Sequence, residues 1–311
     1  MSSLTRRRFL QRSAMGAAAA WAGTHTLSAA EKKGFRGRFA ICNETFGDWP
    51  FEKAFAFSAE CGYEGVEIAP FTVSDFVTDV SAEKRRQIRR QAEQAGLEVV
   101  GLHWLLARTK GFHLTSPDRD VRRKTVEYLG ELARFCADLG GKVLVFGSPQ
   151  QRDLLPGVSR DEAVGYAVEV FRESLPAFEA TDTTLALEPL SPKTTTFLRT
   201  AAEAVAVIRQ VDSPRCRLIL DCRAMSTEAN PIPQLLRENA ALLAHVHAND
   251  PNSQGPGFGK LDFVPIFQAL DDIGYQDWVS VEVFDYAPGC ERLARESIEY
   301  MRRCLAQVAK A

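Results

Sequence analysis

One pattern recurs eight times from residue 31 onward: a short apolar or β-branched run is followed by a longer segment with helical periodicity. This alternation is typical of βα units, which build a parallel sheet with helices outside it. The predicted strands span residues 39–46, 65–70, 98–106, 142–149, 184–190, 216–222, 243–250 and 278–284. No linker or charge block between them is long enough to separate two domains, so a single domain is predicted.

The helical segments support the same fold. Two of them, 81–95 and 118–139, have apolar residues at helical spacing. Four glycines fall where a helix should stop before the next strand, namely Gly62, Gly96, Gly140 and Gly274. A doubly wound sheet would normally have a Gly-rich first turn, whereas residues 47–50 read Gly-Asp-Trp-Pro. Eight units in about 280 residues predict one (β/α)8 TIM barrel of the α/β class over residues 31–311.

The first thirty residues differ from the rest of the chain. Three arginines at 6–8 are followed by Phe-Leu, a small-residue apolar run at 14–22 and the sequence Leu-Ser-Ala-Ala at 27–30. Paired arginines before Phe-Leu resemble the twin-arginine signal, which directs folded proteins to the Tat translocase. We expect a signal peptide over residues 1–30 and a periplasmic or otherwise exported mature protein. A disordered basic tail is the alternative, and the apolar run is too short to span a membrane.

Charge and cysteine content limit the remaining possibilities. The formal net charge is −2 and the pI is about 6.3, so no nucleic-acid partner is expected. The seven cysteines include no Cys-x-x-Cys pair, and we interpret most of them as small buried apolar residues. Folding before export reconciles free thiols with an oxidising periplasm. One disulfide is left open.

Polar residues end four consecutive predicted strands: Glu188, Asp221, His247 and Glu282. Each is separated from the next by roughly one βα unit, so adjacent strands would present them at a similar height. Buried carboxylates in one place repel each other unless a cation lies between them. Three oxygen donors and one nitrogen donor suit Mn²⁺, Mg²⁺ or Co²⁺, with Zn²⁺ also possible. The pattern predicts one divalent metal site at the C-terminal end of the barrel.

These residues occur in motifs that resemble a known family. The motifs are Leu-Glu188-Pro, Leu-Asp221, His245-Val-His247 followed by Pro256-Gly257-Phe258-Gly259 and Asp262-Phe263, and Val-Glu282-Val-Phe. Over residues 38–308 the chain is similar to the xylose-isomerase-like barrels, specifically the sugar phosphate isomerase/epimerase branch that includes ketose 3-epimerases and hydroxypyruvate isomerases. The resemblance implies one divalent ion, usually manganese, on the four residues named above. It also implies that Glu188 and Glu282 exchange protons with the substrate through an enediolate.

The chain departs from the family pattern at two sugar-binding positions. Ala224 occupies the place of a histidine, and Ser253 occupies the place of an arginine. An exported location and the lack of a phosphate-binding loop motif favour an unphosphorylated sugar. We therefore predict a metal-dependent sugar isomerase or epimerase with a small-molecule carbohydrate as its partner. A homodimer or homotetramer is left open.

Further candidates lie near the same strand ends. His103, Glu67, Asn43 and Asn249 are candidate sugar contacts, with core packing or loop capping as the alternative. By strand alternation, His245 faces the same way as His247 but one layer deeper, so we expect it to support the metal ligand rather than bind the metal.

Three other functions share parts of this pattern. A metal-dependent lyase acting on oxidised (keto) glycosides would share the proton abstraction, and a non-catalytic periplasmic sugar-binding barrel would keep only the metal. Apurinic endonucleases share this barrel, but a trinuclear zinc site needs more histidines than His103, His113, His245 and His247 provide. The acidic balance of charge also opposes DNA binding.

Overall fold

The computed structural model describes residues 34–308, and the predicted signal peptide lies outside this range. Eight parallel strands, β1 to β8, close into one barrel in which each strand pairs with its sequence neighbours and β8 pairs with β1. The strands span Phe39–Cys42, Gly65–Ile68, Glu98–Leu102, Val143–Phe146, Thr184–Leu187, Cys216–Asp221, Leu243–Ala248 and Val279–Val281. The predicted single TIM barrel is confirmed.

The described residues form nine α-helices, α1 to α9, that lie between the strands and after β8. They span Phe51–Cys61, Ala82–Gln94, Arg119–Leu139, Arg160–Thr181, Ala201–Val211, Cys222–Met225, Ile232–Glu238, Val264–Asp272 and Cys290–Val308. Local signals explain where several begin and end. Ser159 and Glu162 form a capping box at the start of α4, and Gly62 and Gly140 end α1 and α3 in the left-handed conformation.

Each strand begins within one residue of the predicted start but ends earlier than predicted. The first was expected over residues 39–46, yet β1 ends at Cys42 and residues Asn43–Phe46 form a 3₁₀ helix. Similarly, β3 ends at Leu102 rather than at residue 106. The residues beyond each ladder remain largely buried but leave the sheet to form loops over the barrel mouth. The predicted strands were therefore too long, because the apolar pattern of the sequence reports burial and not hydrogen bonding within the sheet.

The barrel interior changes from apolar to polar along its axis. Val145, Ala186 and Ile219 form a small buried cluster separate from the main core. Because side chains alternate along a strand, Glu188 and Asp221 lie on the same face as Ala186 and Ile219, two residues farther along. The larger core packs the outer strand faces against the helices. This arrangement leaves the C-terminal end of the barrel for polar side chains.

The cysteines and the helices can be compared with the predictions on disulfides and membrane spans. All seven cysteines are unpaired, and all but Cys290 are buried, which fits their interpretation as small apolar residues. Within residues 34–308, none of the helices combines the length and the apolar character that a membrane crossing requires.

Candidate metal centre

Four side chains converge at the C-terminal ends of strands β5 to β8. One ligand atom from each of Glu188, Asp221, His247 and Glu282 lies within 4.8 Å of the others. All four residues are buried. Strand register produces this convergence, because Asp221 and His247 are direct partners in the β6–β7 ladder. The amide nitrogens of Glu188 and Glu282 donate to the carbonyls of Phe146 and Ala248 on the preceding strands, at 3.2 and 3.3 Å.

His247 directs one ring nitrogen into this cluster. Its Nδ1 atom lies 2.9 Å from Oε2 of Glu282 and 3.8 Å from Oε1 of Glu188. Although they are close, neither Nδ1 of His247 nor Oε2 of Glu282 has a hydrogen-bond partner within the described part of the chain. Buried polar atoms without partners are costly, and a cation that both atoms coordinate would remove that cost. The donor set therefore fits a divalent metal ion.

The other nitrogen of His247 faces Glu67. Nε2 of His247 lies 3.3 Å from each carboxylate oxygen of Glu67, and Nε2 of His245 lies 2.8 Å from Oε2. Ligating histidines usually donate their second N–H to such a carboxylate, which fixes the orientation of the ring. Glu67, predicted as a sugar contact, is thus placed behind His247 and is 1% exposed. His245 lies beside it and shares the Glu67 carboxylate with His247.

Asp221 is held by two hydrogen bonds. Its Oδ1 accepts from the backbone N–H of Ala224, and its Oδ2 accepts from Nδ2 of Asn249, both at 2.6 Å. The side-chain oxygen Oδ1 of Asn249 in turn accepts from the backbone N–H of Arg223 at 2.8 Å. Asn249, predicted as a sugar contact, is fully buried and supports Asp221. These bonds limit the directions in which the carboxylate can point.

The carboxylates of the cluster lie close together, and their mutual repulsion shifts the pKa values of the group. Burial and the charges of Glu188 and Glu282 raise the pKa of Asp221 to about 7. Burial also raises the pKa of Glu188. Burial lowers the pKa of His247, but the nearby carboxylates of Glu282 and Glu67 outweigh this and raise it well above its ordinary value. Without a cation the cluster retains protons, and a bound cation would displace them.

Two residues that sequence reasoning missed shape the position of Glu188. A Cβ atom at Gly147 would collide with the Glu188 carboxylate, so only glycine leaves space for it. Arg152 is fully buried, and its Nη1 donates to the carbonyl oxygens of Glu188 at 2.6 Å and Phe146 at 3.4 Å. Gly147, directly after β4, was a visible signal. Arg152 lies in a loop and carries no motif.

His103 and Asn43 occupy different surroundings. Nε2 of His103 donates to Oε2 of Glu44 at 2.7 Å, and its Nδ1 lies 3.7 Å from Glu67. Burial lowers the pKa of His103, but Glu44 and Glu67 raise it to about 9, which favours the charged ring at neutral pH. Asn43 accepts from the backbone N–H of Ala69 at 2.8 Å and donates to the Thr72 hydroxyl at 2.9 Å. It thereby ties the loop after β1 to the loop after β2.

The two departures from the family pattern have visible consequences. Ala224 is buried and contributes its backbone to Asp221, whereas Ser253 adopts a left-handed conformation with φ of 74°. Arg223, next to the position of the missing histidine, lines the pocket that contains Glu188 and Glu282. Its guanidinium lies 4.8 Å from the ring centroid of Phe284. Arg223 is therefore a further pocket residue that the sequence analysis did not identify.

Comparison with known proteins gives a consistent result. Residues 55–304 match the family described as xylose isomerase-like TIM barrel. The chain is 25% identical over 268 residues to a probable ketose 3-epimerase from Synechocystis sp., covering 81% of this chain and 90% of that one. It is 28% identical over 230 residues to D-psicose 3-epimerase of Ruminiclostridium cellulolyticum, covering 73% and 75%. A solved D-psicose 3-epimerase from Clostridium cellulolyticum H10 with D-tagatose has a TM-score of 0.76 at 21% identity, covering 86% and 99%.

Proposed function

Because this chain belongs to the xylose isomerase-like TIM barrel family, we propose that it is a divalent-metal-dependent isomerase or epimerase of an unphosphorylated sugar. Its relatives include proteins named as ketose 3-epimerases, which supports a sugar isomerase or epimerase. One observation carries the proposal further. Glu188, Asp221, His247 and Glu282 present four ligand atoms within 4.8 Å of one another, and both glutamates line one pocket.

The metal and the two glutamates would divide the chemistry. A divalent ion, Mn²⁺ in our proposal, would polarise the substrate carbonyl and stabilise the negative charge that develops on its oxygen. Glu188 or Glu282 removes the proton from the carbon beside that carbonyl. In an epimerisation the second glutamate returns a proton to the opposite face, whereas an isomerisation returns it to the neighbouring carbon. Asn249 and Glu67 hold Asp221 and His247 in position while this occurs.

The test combines metal analysis with hydrogen exchange. Purified mature protein should contain one divalent metal ion per chain, and it should incorporate deuterium from D₂O beside the carbonyl of at least one free or glycosidic keto sugar. Product analysis then separates an epimer, an isomer and an eliminated fragment. Elimination would establish the lyase alternative, and metal without exchange would favour a non-catalytic sugar-binding barrel. Protein without metal would refute the site.

We further propose that the protein is exported through the twin-arginine route with the Tat translocase as its partner. The support is the order of arginines, apolar run and small residues within positions 1–30. Replacing Arg6 and Arg7 with lysine should leave the precursor in the cytoplasm. Replacing Lys32 and Lys33 with arginine is the matched control and should not alter export. Normal export of the Arg6→Lys/Arg7→Lys variant would reject this route.

A further inference from the structure

Two connected cavities of very different size lie above the candidate metal centre. The inner pocket, which contains Glu188 and Glu282, has a volume of about 40 Å³. That is room for roughly three water molecules, so it can accept only the reacting end of a sugar. The outer cleft has a volume of about 640 Å³. The two share Trp104, Pro149 and Phe284, which makes them parts of one path into the barrel.

The outer cleft is larger than the remaining atoms of one sugar ring require. Its volume alone lies in the range of about 300–1,000 Å³ that holds drug-sized ligands. Its lining combines aromatic rings with polar groups: Glu44, Phe71, Trp104, Ala107, Arg108, Ser148, Pro149, Gln150, Gln151, Phe284 and Tyr286. Such a mixture suits a ligand that has both C–H faces and hydroxyl edges.

The aromatic walls form a connected set. The Trp104 ring contacts Phe71 and Phe284 edge to face, with centroid separations of 6.4 and 6.0 Å. Trp104 has a φ of 53°, a conformation that is unfavourable for a bulky residue and that is often retained at ligand sites. Tyr286 is 44% exposed and is the one exposed large hydrophobic side chain in the described part of the chain. A ring that packs on these walls would cover it.

The polar part of the cleft includes charged and amide side chains. Glu44 is 8% exposed, and its Oε2 is paired with His103, but its Oε1 has no hydrogen-bond partner among residues 34–308. Glu44 therefore adds a carboxylate to the lining of the cleft beside the aromatic walls. The Arg108 guanidinium lies 4.5 Å from the Phe71 ring centroid, and Gln150 and Gln151 also line the cleft.

We propose that the outer cleft is a binding subsite for a second sugar ring, so that the substrate is a glycoside whose reacting unit enters the inner pocket. This inference rests on the proposed function for the identity of the reacting unit. It names the substrate class as a keto sugar joined to another sugar rather than a free monosaccharide. Where the reacting unit is joined through its own anomeric carbon, that carbon is an acetal. A separate oxidation of a ring hydroxyl must then supply the carbonyl before the glycoside binds.

The inference is tested by binding, independently of turnover. Calorimetric titration of the Mn²⁺-loaded mature protein would compare cellobiose, maltose and sucrose with glucose and fructose. We expect at least one disaccharide to bind tenfold or more tightly than its constituent monosaccharides. Tyr286→Ala should reduce that advantage at least fivefold, whereas Tyr286→Phe, which keeps the ring, should retain it. Arg108→Gln should weaken the same disaccharide, and Lys110→Gln on the same loop is its control.

Two results would overturn the inference. One is that no disaccharide binds more tightly than its monosaccharides, and the other is that the advantage survives Tyr286→Ala and Arg108→Gln together. Circular dichroism of each variant would establish that the barrel is still folded. Failure of the proposed function looks different, because disaccharide binding would persist while metal or deuterium exchange is missing.

Discussion

His247 lies between two groups of carboxylates, with Glu67 on its Nε2 side at 3.3 Å and the Glu188 and Glu282 carboxylates on its Nδ1 side. The contact with Glu67 favours a proton on Nε2 and leaves Nδ1 available as a metal ligand. A residue on β2 thus orients a ligand on β7, across the interior of the barrel.

Glu67→Gln tests this orientation. The amide keeps the size of the side chain but removes the charge that holds the His247 ring, so we expect Mn²⁺ affinity to fall by about 10- to 100-fold. Titration of metal-free protein with Mn²⁺ measures the effect. Glu64→Gln, an exposed position just before the same strand, should leave the affinity as it is. Equal affinities for both variants would contradict the role of Glu67.

Glu188→Gln tests the proposed proton transfer. The amide oxygen can still contact a metal, but the side chain cannot take up a proton, so the rate of exchange or turnover should fall at least about 100-fold. Metal content measured on the same sample separates loss of chemistry from loss of the ion. Glu173→Gln, exposed on α4, is the matched control. Unchanged activity with Glu188→Gln would remove this residue from acid/base catalysis.

Gly147→Ala tests the space that Glu188 needs. Because a Cβ atom would collide with the Glu188 carboxylate, the substitution should displace that group and lower Mn²⁺ affinity at least about tenfold. Gly165→Ala in helix α4 is the control, since a Cβ there meets no atom of residues 34–308 within 4 Å apart from the backbone of its own helix. That control should be neutral or stabilising by roughly 0.5–1 kcal/mol. A Gly147→Ala protein with normal metal affinity would refute the steric argument.

The raised pKa of Asp221 predicts a dependence of stability on pH. Folding raises this pKa to about 7, so the folded metal-free protein holds the proton more tightly than the unfolded chain does. The resulting stabilisation is present at low pH and is lost as pH rises through about 7. The raised pKa of His247 acts in the same direction. The pKa of Glu67 is lowered by folding, so its contribution to stability is lost only at acidic pH, below the ordinary pKa of a glutamate.

We therefore expect the thermal midpoint of metal-free protein to fall between about pH 5.5 and 8, while Mn²⁺ affinity rises about tenfold per pH unit for each proton displaced. Differential scanning calorimetry and metal titration at matched ionic strength measure the two trends. Asp221→Asn should make the first trend shallower and leave the part that His247 contributes. A metal-free midpoint that increases with pH would contradict the assigned shift.

Several features of the molecule follow from local sequence. Alternation of period 2 and period 3.6 predicts the eight βα units, and glycines such as Gly62 and Gly140 place the helix ends. The repeat length also predicts that Asp221 and His247 lie at one height, and the structure pairs them directly. These inferences succeed because each βα unit of the sequence adds one strand to the barrel, so residues one unit apart lie on neighbouring strands.

Which side chains contact each other, by contrast, was decided only when the barrel closed. Asn249 follows a strand end and was predicted as a sugar contact, yet the register of β7 against β6 aims it at Asp221. Glu67 and His247 are 180 residues apart in sequence and meet because β2 and β7 face each other across the interior. Buried Arg152 and the outer cleft belong to loops, and loop sequences lack the periodic pattern of apolar residues from which helices and strands are predicted. The sequence determined which side chains reach the barrel mouth, whereas three-dimensional packing decided which of them touch, because contacts across a closed sheet depend on the register of strands distant in the chain.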